Sequence, residues 1–287
     1  MSRFDETQLL VIGSNGQIGR ALREHYPNAR FADIEQLDIS NQASVDGFDW
    51  TGIKVIINTA AYTNVDGAET PEGRVLAWQV NAVAVKNLVH AAWKHQLALV
   101  HISSDYVFDG TQTSHKEDEA LGPLSVYGAS KAAGDLLTAQ LDEHYIIRTS
   151  WVVGEGKNFV RTMLGLAKKG VSPAVVDDQI GRPTFTTEIA RAIDHLLSTN
   201  ASFGTYNVTN DGEPTSWADV AREVFTQANA EASITSTTTA QYLAGHPGIA
   251  PRPHHSTLDL RKIQAIDFAS TDWKSDLKKY IEQEMRR

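Results

Sequence analysis

Short β-branched apolar runs alternate with longer stretches of helical periodicity over the first half of the chain, and this alternation constrains the fold more than any other feature. Such alternation is typical of buried parallel strands joined by crossover helices. Strands are predicted at residues 8–12, 29–32, 54–58, 98–102 and 145–148, and long helices at about 72–95 and 126–141. The pattern therefore predicts an α/β fold with a doubly wound parallel sheet.

Beyond about residue 149 the strands become shorter and polar turns separate them. Helices are predicted at residues 159–168, 188–197, 217–228 and 276–285, an edge strand in the Thr-rich run 233–239, and long Pro- and Gly-bearing loops at 177–184 and 246–253. Long loops in compact domains are often functional. We expect a dinucleotide-binding domain over residues 1–150 and a smaller α/β substrate-binding lobe over 151–287, with the chain free to cross back between them.

Charge and composition exclude several classes of partner. The chain has 26 Lys and Arg residues against 35 Asp and Glu, and the net charge of −9 opposes binding to nucleic acid or anionic membranes. No apolar run is long enough to cross a bilayer, and residues 1–7 lack the apolar centre of an export signal. Because the chain has no cysteine, disulfides and thiolate metal sites are excluded. We expect a cytoplasmic protein with no membrane or nucleic-acid partner.

Gly13, Gly16 and Gly19 follow the first predicted strand and open a helix. This context is the one that a dinucleotide-binding loop of the Rossmann type requires, because glycines permit the tight turn and the close approach of backbone to a diphosphate. Free N–H groups at the helix start then bind the phosphates. The residues of this loop predicted to bind the cofactor are Gly13, Asn15, Gly16, Gln17 and Ile18.

Asp33 ends the second predicted strand, where a carboxylate can bind the adenosine ribose hydroxyls of NAD. Arg20 and Arg30 offer the alternative of binding a 2′-phosphate, so the cofactor is predicted as NADH or NADPH without a choice between them. By analogy with other dinucleotide sites, Asp38 and Ile39 are predicted to flank the adenine.

Tyr127 and Lys131 lie four positions apart in a predicted helix and therefore share one face. A neighbouring cation favours the ionised form of a phenol, so we expect Lys131, together with the positive nicotinamide ring of an oxidised cofactor, to lower the Tyr127 pKa. Such a tyrosine can donate a proton to a carbonyl oxygen as hydride reaches the carbon. Ser104, past the fourth predicted strand, is placed to bind the same oxygen.

These motifs resemble the extended short-chain dehydrogenase/reductase superfamily, and within it the dTDP-4-dehydrorhamnose reductases. The matching blocks are residues 13–19, 58–66, 103–108, 127–131, 148–152, 178–184 and 252–253. The resemblance implies reduction of the C4 keto group of dTDP-6-deoxy-L-lyxo-4-hexulose, a dTDP-sugar, with NADPH or NADH. It makes Tyr127 the acid, Lys131 its partner and a ribose ligand, and Ser104 the hydroxyl where relatives commonly have threonine.

The resemblance also assigns residues to the cofactor and the substrate. It places Ala60, Ala61 and Tyr62 against the cofactor, and on the substrate side it places Val65, Ser104, Asp105, Tyr106, Trp151 and Arg182. Trp151 follows the fifth predicted strand and is expected to project into the ligand cleft. Arg252 lies between two prolines and can bind a diphosphate bidentately. An Asn in the region of Asn81 is expected to hold water or backbone near Lys131.

One departure concerns metal. Some relatives bind Mg²⁺ at a dimer contact through glutamates, one of them in the helix after the glycine loop, where this chain has Ala21. Glu188 and Glu284 lie near the other two positions, and two carboxylates make a weaker site. We therefore predict no metal site. Whether the chain forms a homodimer is not decided by the sequence.

Two other functions compete with reduction. The first is a nucleotide-sugar dehydratase or epimerase, although dehydratases usually have an acidic pair after the strand-four hydroxyl and here Tyr106 follows Asp105. The second is a non-catalytic regulatory subunit similar to the β subunit of methionine adenosyltransferase. Intact Ser104, Tyr127 and Lys131 favour catalysis.

Overall fold

A six-stranded parallel sheet forms the centre of the molecule. The computed structural model describes residues 4–245 and 248–286, so the first residues of the chain and part of the predicted 246–253 loop lie outside it. The sheet is built from β1 (Leu9–Ile12), β2 (Arg30–Ala32), β3 (Val55–Asn58), β4 (Ala98–Ser104), β5 (His144–Thr149) and the later β10 (Gly204–Asn207). Its strand order is β10-β5-β4-β3-β1-β2, and every neighbouring pair is parallel.

This strand order creates a switch point. The chain leaves β1 toward β2 on one side and returns to β3 on the other. Ligands of open α/β sheets bind at the carboxyl ends of the strands beside such a reversal. The glycine loop follows β1 and Ala60 follows β3, so both lie at this crevice.

Helices cover both faces of the sheet. Those of the first part are α1 (Gln17–His25), α2 (Gln42–Asp46), α3 (Pro71–Trp78), α4 (Ala84–His95) and α5 (Val126–Thr138). A π-helical turn at Gln79–Val83 joins α3 to α4, so the long helix predicted from residue 72 to 95 is continuous but locally widened. Single π turns of this kind are frequent at functional sites.

The residues of β1 alternate between two hydrophobic cores because successive side chains point to opposite faces of a sheet. Leu9 and Val11 pack in the core that includes helix residue Leu22, whereas Leu10 and Ile12 pack in the core that includes Leu88. All four strand residues are buried, which is typical of a sheet covered on both faces. The near-continuous apolar runs of the sequence have this origin.

The remaining elements follow β5. The strands are β6 (Val152–Val153), β7 (Ala174–Val176), β8 (Ile180–Gly181), β9 (Thr184–Phe185), β11 (Thr215–Ser216) and β12 (Thr235–Thr237). The helices are α6 (Phe159–Lys168), α7 (Thr186–Ser198), α8 (Trp217–Gln227), α9 (Thr239–Ala244), α10 (Arg261–Gln264) and α11 (Trp273–Arg286). Helices α6, α8 and α11 enclose a third apolar core. The Thr-rich run contributes β12, which pairs with β7.

The sixth strand of the sheet was not predicted from the sequence. Gly204–Asn207 pairs with β5, with Tyr206 opposite Ile147, although it lies beyond the predicted boundary at residue 150. The division into domains at that residue stays a prediction. Among the described residues, no helix has both the length and the apolar content that a membrane crossing needs.

Candidate active site

The glycine loop is shaped by close backbone contacts. Gly13 has φ +76°, and a Cβ atom there would lie 2.6 Å from the Ala60 nitrogen. A Cβ on Gly19 would lie 2.4 Å from the Gly13 carbonyl oxygen, so α1 packs directly against the turn. Gly16 caps α1 without a side-chain hydrogen bond, which leaves the first N–H groups of this helix free of side-chain acceptors. Such a helix start fits a diphosphate.

Asp33 is fixed at the end of β2 by two backbone donors. Its Oδ2 accepts a hydrogen bond from the Asn15 nitrogen at 2.8 Å, and its Oδ1 accepts one from the Ile34 nitrogen at 2.9 Å. The two cations proposed for a 2′-phosphate are directed elsewhere. Arg30 donates to the Asp49 carbonyl, and Arg20 donates to the carbonyls of Asn15 and Glu155. Asp33 therefore lines the cavity with a fixed carboxylate, and the hydrogen bonds of Arg20 and Arg30 are made to backbone carbonyls.

Asn81, on the π-helical turn, ties the loop after β3 to α5. Its Oδ1 accepts from the Tyr62 nitrogen at 2.9 Å, and its Nδ2 donates to the Tyr62 carbonyl at 3.1 Å and to Ser130 Oγ at 3.0 Å. The Asn81 side chain is 1% exposed, and its bond to Ser130 is fully buried. Asn81 thus holds the Ala60-Ala61-Tyr62 segment in register with the helix that bears Tyr127.

Tyr127 and Lys131 lie in α5, which begins after the capping Ser125. Lys131 is 1% exposed, and its Nζ donates to the Ile102 carbonyl at 2.6 Å. Burial lowers the pKa of Lys131 to about 8, while Asp135 acts in the opposite direction. Burial raises the pKa of Tyr127 to about 12, and only Ser104 lowers it. Desolvation therefore dominates the Tyr127 pKa, Lys131 is not among the groups that lower it, and the phenol is protonated at neutral pH. The joint effect of Lys131 and a bound oxidised nicotinamide stays a prediction.

Ser104 ends β4 and begins a 3₁₀ turn over Asp105–Val107. Its Oγ donates to Asp105 Oδ1 at 3.0 Å and accepts from the Tyr106 nitrogen at 3.2 Å. A side-chain hydrogen bond with Ser104 lowers the Tyr127 pKa, so the two hydroxyls lie close together. The rings of Tyr106 and Tyr127 meet edge to face, with centroids 5.5 Å apart. The three predicted groups of the strand-four turn and α5 therefore converge.

One cavity of about 770 Å³ brings most of the predicted site residues together. From the cofactor set it is lined by Gly13, Asn15, Gly16, Gln17, Ile18, Asp33, Asp38, Ile39, Ala60 and Ala61. From the catalytic and substrate sets it is lined by Val65, Ser104, Asp105, Tyr106, Tyr127, Lys131 and Trp151. The volume lies within the usual range for cofactor and small-molecule sites.

Three predicted residues do not line this cavity. Tyr62 packs beside Ala68 and Tyr127 instead. Arg182 donates to the carbonyls of Gly212 and Leu258, which holds two loops together. Their assignments to the cofactor and the substrate stay predictions that these contacts do not support.

Arg252 also lies off the cavity wall, but it lies close to the substrate-side residues. It forms an ion pair with Asp66 at 2.8 Å. Burial raises the pKa of Tyr106 above its usual range, and Arg252 and Asp66 act on that pKa in opposite directions. The guanidinium is therefore near the phenol of Tyr106, which lines the cavity.

Trp217 is a lining residue that the sequence did not indicate. Its ring stacks on Trp151, with centroids 3.8 Å apart and planes 16° from parallel, and Phe159 packs against it at 4.5 Å. Trp151 has φ +47°, which is strained for a residue other than glycine. Trp217 opens α8, 66 positions after Trp151, and only the folded chain brings the two together.

The carboxylates considered for Mg²⁺ are bound by arginines. Glu188 accepts hydrogen bonds from Arg191 and from the Thr271 nitrogen, so its charge is compensated. Both oxygens of Glu284 accept from Arg161, each at 2.7 Å. Ala21 offers no ligand at the third position.

Comparisons with known proteins show the family of the chain. The family model for the RmlD substrate binding domain matches residues 7–286. A dTDP-4-dehydrorhamnose reductase of Aggregatibacter actinomycetemcomitans is 41% identical, over 94% of this chain and 97% of its own length.

Two solved structures are similar over nearly their whole length. A dTDP-4-dehydrorhamnose reductase from Clostridium acetobutylicum has a TM-score of 0.89 and 35% identity, over 96% of this chain and 99% of its own. One from Bacillus anthracis, solved in complex with NADP, has a TM-score of 0.88 and 33% identity, over 96% and 98%. These two structures are therefore similar to this chain in fold, in length and in sequence.

Proposed function

The chain belongs to the family described by the RmlD substrate binding domain, and from this premise we propose that it reduces the C4 keto group of dTDP-4-dehydrorhamnose to give dTDP-L-rhamnose, with NADH or NADPH as reductant. The observation that carries the proposal is the convergence of Ser104, Tyr127 and Lys131 on a cavity that a dinucleotide loop also lines. A cavity holding only a nucleotide would not need an acid and a second hydroxyl at one place.

The residues of the glycine loop fit a nicotinamide dinucleotide. The uncapped start of α1 would hold the diphosphate, and Asp33 would accept hydrogen bonds from the adenosine ribose. Asp38 is fixed by hydrogen bonds from Ser40 and lines the cavity with Ile39, in keeping with an adenine pocket. When bound, the reduced cofactor supplies the hydride that C4 of the sugar receives.

Tyr127 supplies the proton. Because its pKa is raised to about 12, the phenol carries its proton at neutral pH and can give it to the C4 oxygen, converting the ketone into a hydroxyl. Ser104 lies beside it as a second hydroxyl for the same oxygen. Lys131 lies one helical turn from Tyr127, with its Nζ donating to the Ile102 carbonyl of β4, and it would bind the cofactor ribose.

The sugar nucleotide would occupy the remaining walls of the cavity. Val65, Asp105 and Tyr106 would contact the sugar, and Trp151 presents an aromatic surface to it. Arg252 would bind the diphosphate by exchanging Asp66 for a phosphate oxygen. We expect the enzyme to act in the cytoplasm and leave a homodimer as an expectation.

The test is turnover of purified protein on the enzymatically prepared dTDP-4-keto sugar. We expect loss of the near-ultraviolet absorbance of NADH or NADPH together with appearance of dTDP-rhamnose by mass spectrometry. A ketosugar with UDP in place of dTDP is the control for the nucleotide. Tight cofactor binding without oxidation of either cofactor would contradict the proposal and would favour a regulatory subunit.

A further inference from the structure

Ser104 has a single hydroxyl hydrogen, and the structure commits it. Its Oγ donates to Asp105 Oδ1 at 3.0 Å and accepts from the Tyr106 nitrogen at 3.2 Å. A serine hydroxyl is one donor and two acceptors. While Asp105 is ionised it can only accept, so the Ser104 hydrogen points at the carboxylate and is withheld from a substrate oxygen.

Asp105 is a buried carboxylate on the cavity wall. Asp105 is 3% exposed and lines the cavity. Within residues 4–245 and 248–286, no group donates a hydrogen bond of acceptable geometry to Asp105 Oδ2. A carboxylate so placed has an incomplete set of donors, which is costly unless the group takes up a proton.

The surroundings of Asp105 come from several segments. Burial raises its pKa to about 6. The hydroxyls of Ser256 and Ser104 and, more weakly, the charge of His115 lower that pKa; Ser256 lies close to the carboxylate, but its approach does not have the geometry of a hydrogen bond. The phenols of Tyr106 and Tyr127 also face it, since Asp105 raises the pKa of both. A fraction of Asp105 is thus protonated near physiological pH.

We propose that Asp105 is a positioning residue that acts through Ser104, turning the Ser104 hydroxyl toward the ketone oxygen when its own carboxyl is protonated. A protonated carboxyl donates to Ser104 Oγ, and the Ser104 hydrogen is then free to bind the substrate oxygen beside the proton of Tyr127. The inference rests on the proposed function, because the ketone is the oxygen that the two donors share. Aligned donors at a developing oxyanion are worth about a hundredfold in rate.

The sign of the pH dependence follows from this arrangement. Reduction is fast while Asp105 is protonated and slows as pH rises through its pKa of about 6. In Asp105→Asn the amide N–H donates to Ser104 at every pH, so the hydroxyl stays turned toward the substrate. This variant is therefore expected to be more active than the wild type above pH 7, whereas loss of a merely structural carboxylate would slow turnover at every pH.

The experiment compares kcat between about pH 5.5 and 7.5, below the Lys131 pKa of about 8. The variants are Asp105→Asn, Ser104→Ala, the double variant, and Asp109→Asn as a matched control. Asp109 carries a carboxylate that accepts from the Thr111 nitrogen and does not line the cavity. We expect kcat to fall about tenfold over this range for wild type and control, and to stay within about threefold for Asp105→Asn and both Ser104 variants.

A second readout needs no turnover. In protein labelled with ¹³C at aspartate carboxyls, the Asp105 signal, assigned by its loss in Asp105→Asn, should titrate near pH 6, and its midpoint should rise in Ser104→Ala. If kcat falls with pH as steeply in Asp105→Asn as in the wild type, the inference is overturned. It is also overturned if the Asp105 carboxyl stays ionised down to about pH 4. Failure of the proposed function gives a different result, namely no cofactor oxidation by wild type at any pH.

Discussion

Arg252 forms an ion pair with Asp66 in which Nη2 and Oδ1 are 2.8 Å apart, and the same Asp66 oxygen accepts from the Ala250 nitrogen at 3.0 Å. The pair holds the loop that carries Arg252 against the segment after β3. Because both partners act on the nearby Tyr106, the pair lies at the substrate side of the cavity. A diphosphate bound by Arg252 must therefore compete with Asp66.

This competition predicts opposite effects for the two partners. Asp66→Asn should strengthen dTDP binding a few-fold because it removes the competing charge, whereas Arg252→Ala should weaken it by about tenfold. Isothermal titration with dTDP measures both, and Arg252→Lys tests whether the fork of the guanidinium is needed. If Asp66→Asn and Arg252→Ala weaken dTDP binding equally, the ion pair only holds the loop in place.

The surroundings of Asp33 predict a preference for NADH. A 2′-phosphate would lie beside this carboxylate, while Arg20 and Arg30 are bound elsewhere. We expect kcat/KM to be at least about tenfold higher with NADH than with NADPH. Asp33→Ser should narrow this ratio mainly by lowering the KM for NADPH. A wild-type enzyme that uses NADPH as well as NADH would contradict this account of the ribose site.

The stack of Trp217 on Trp151 predicts a role in substrate binding. Trp217→Ala removes the support of a strained tryptophan, so we expect KM for the sugar nucleotide to rise about tenfold with a smaller change in kcat. Trp217→Phe keeps an aromatic face and should recover most of the affinity. Steady-state kinetics distinguishes these outcomes, and an unchanged KM in Trp217→Ala would remove the residue from the substrate site.

The ion pairs at Glu188 and Glu284 predict independence from divalent metal. Both carboxylates are already compensated by arginines, and Ala21 supplies no third ligand. Dialysis against a chelator should leave both kcat and the sedimentation coefficient unchanged, with added Mg²⁺ as the control. Loss of activity that Mg²⁺ restores would show that these residues rearrange to bind it.

The parts of the site that follow from local sequence were predictable. Gly13 takes a positive φ in the turn, Gly19 packs against the Gly13 carbonyl of the same turn, and Tyr127 and Lys131 share a face through helical spacing. The parts that depend on distant contacts were not. β10 is four residues long and was recognised only by its pairing with β5, and Trp217 reaches the cavity only because α8 packs beside Trp151.

Electrostatics was also beyond the sequence. The helical spacing of Tyr127 and Lys131 predicts attraction between a cation and a phenolate, but it does not reveal that burial outweighs this attraction for Tyr127. The hydrogen-bond partners of Arg20 and Arg30 were equally unpredictable, because a long side chain can reach several partners from one position in the chain.

The central claim is that the Tyr127 phenol gives its proton to the substrate ketone. Tyr127→Phe keeps the ring that packs against Tyr106 and removes only the hydroxyl. The direct measurement is single-turnover reduction of the dTDP-4-keto sugar by the variant, with NADH affinity determined in parallel. The account predicts a rate at least about a hundredfold below wild type with unchanged NADH affinity. A variant that reduces the ketone within a few-fold of the wild-type rate would contradict it.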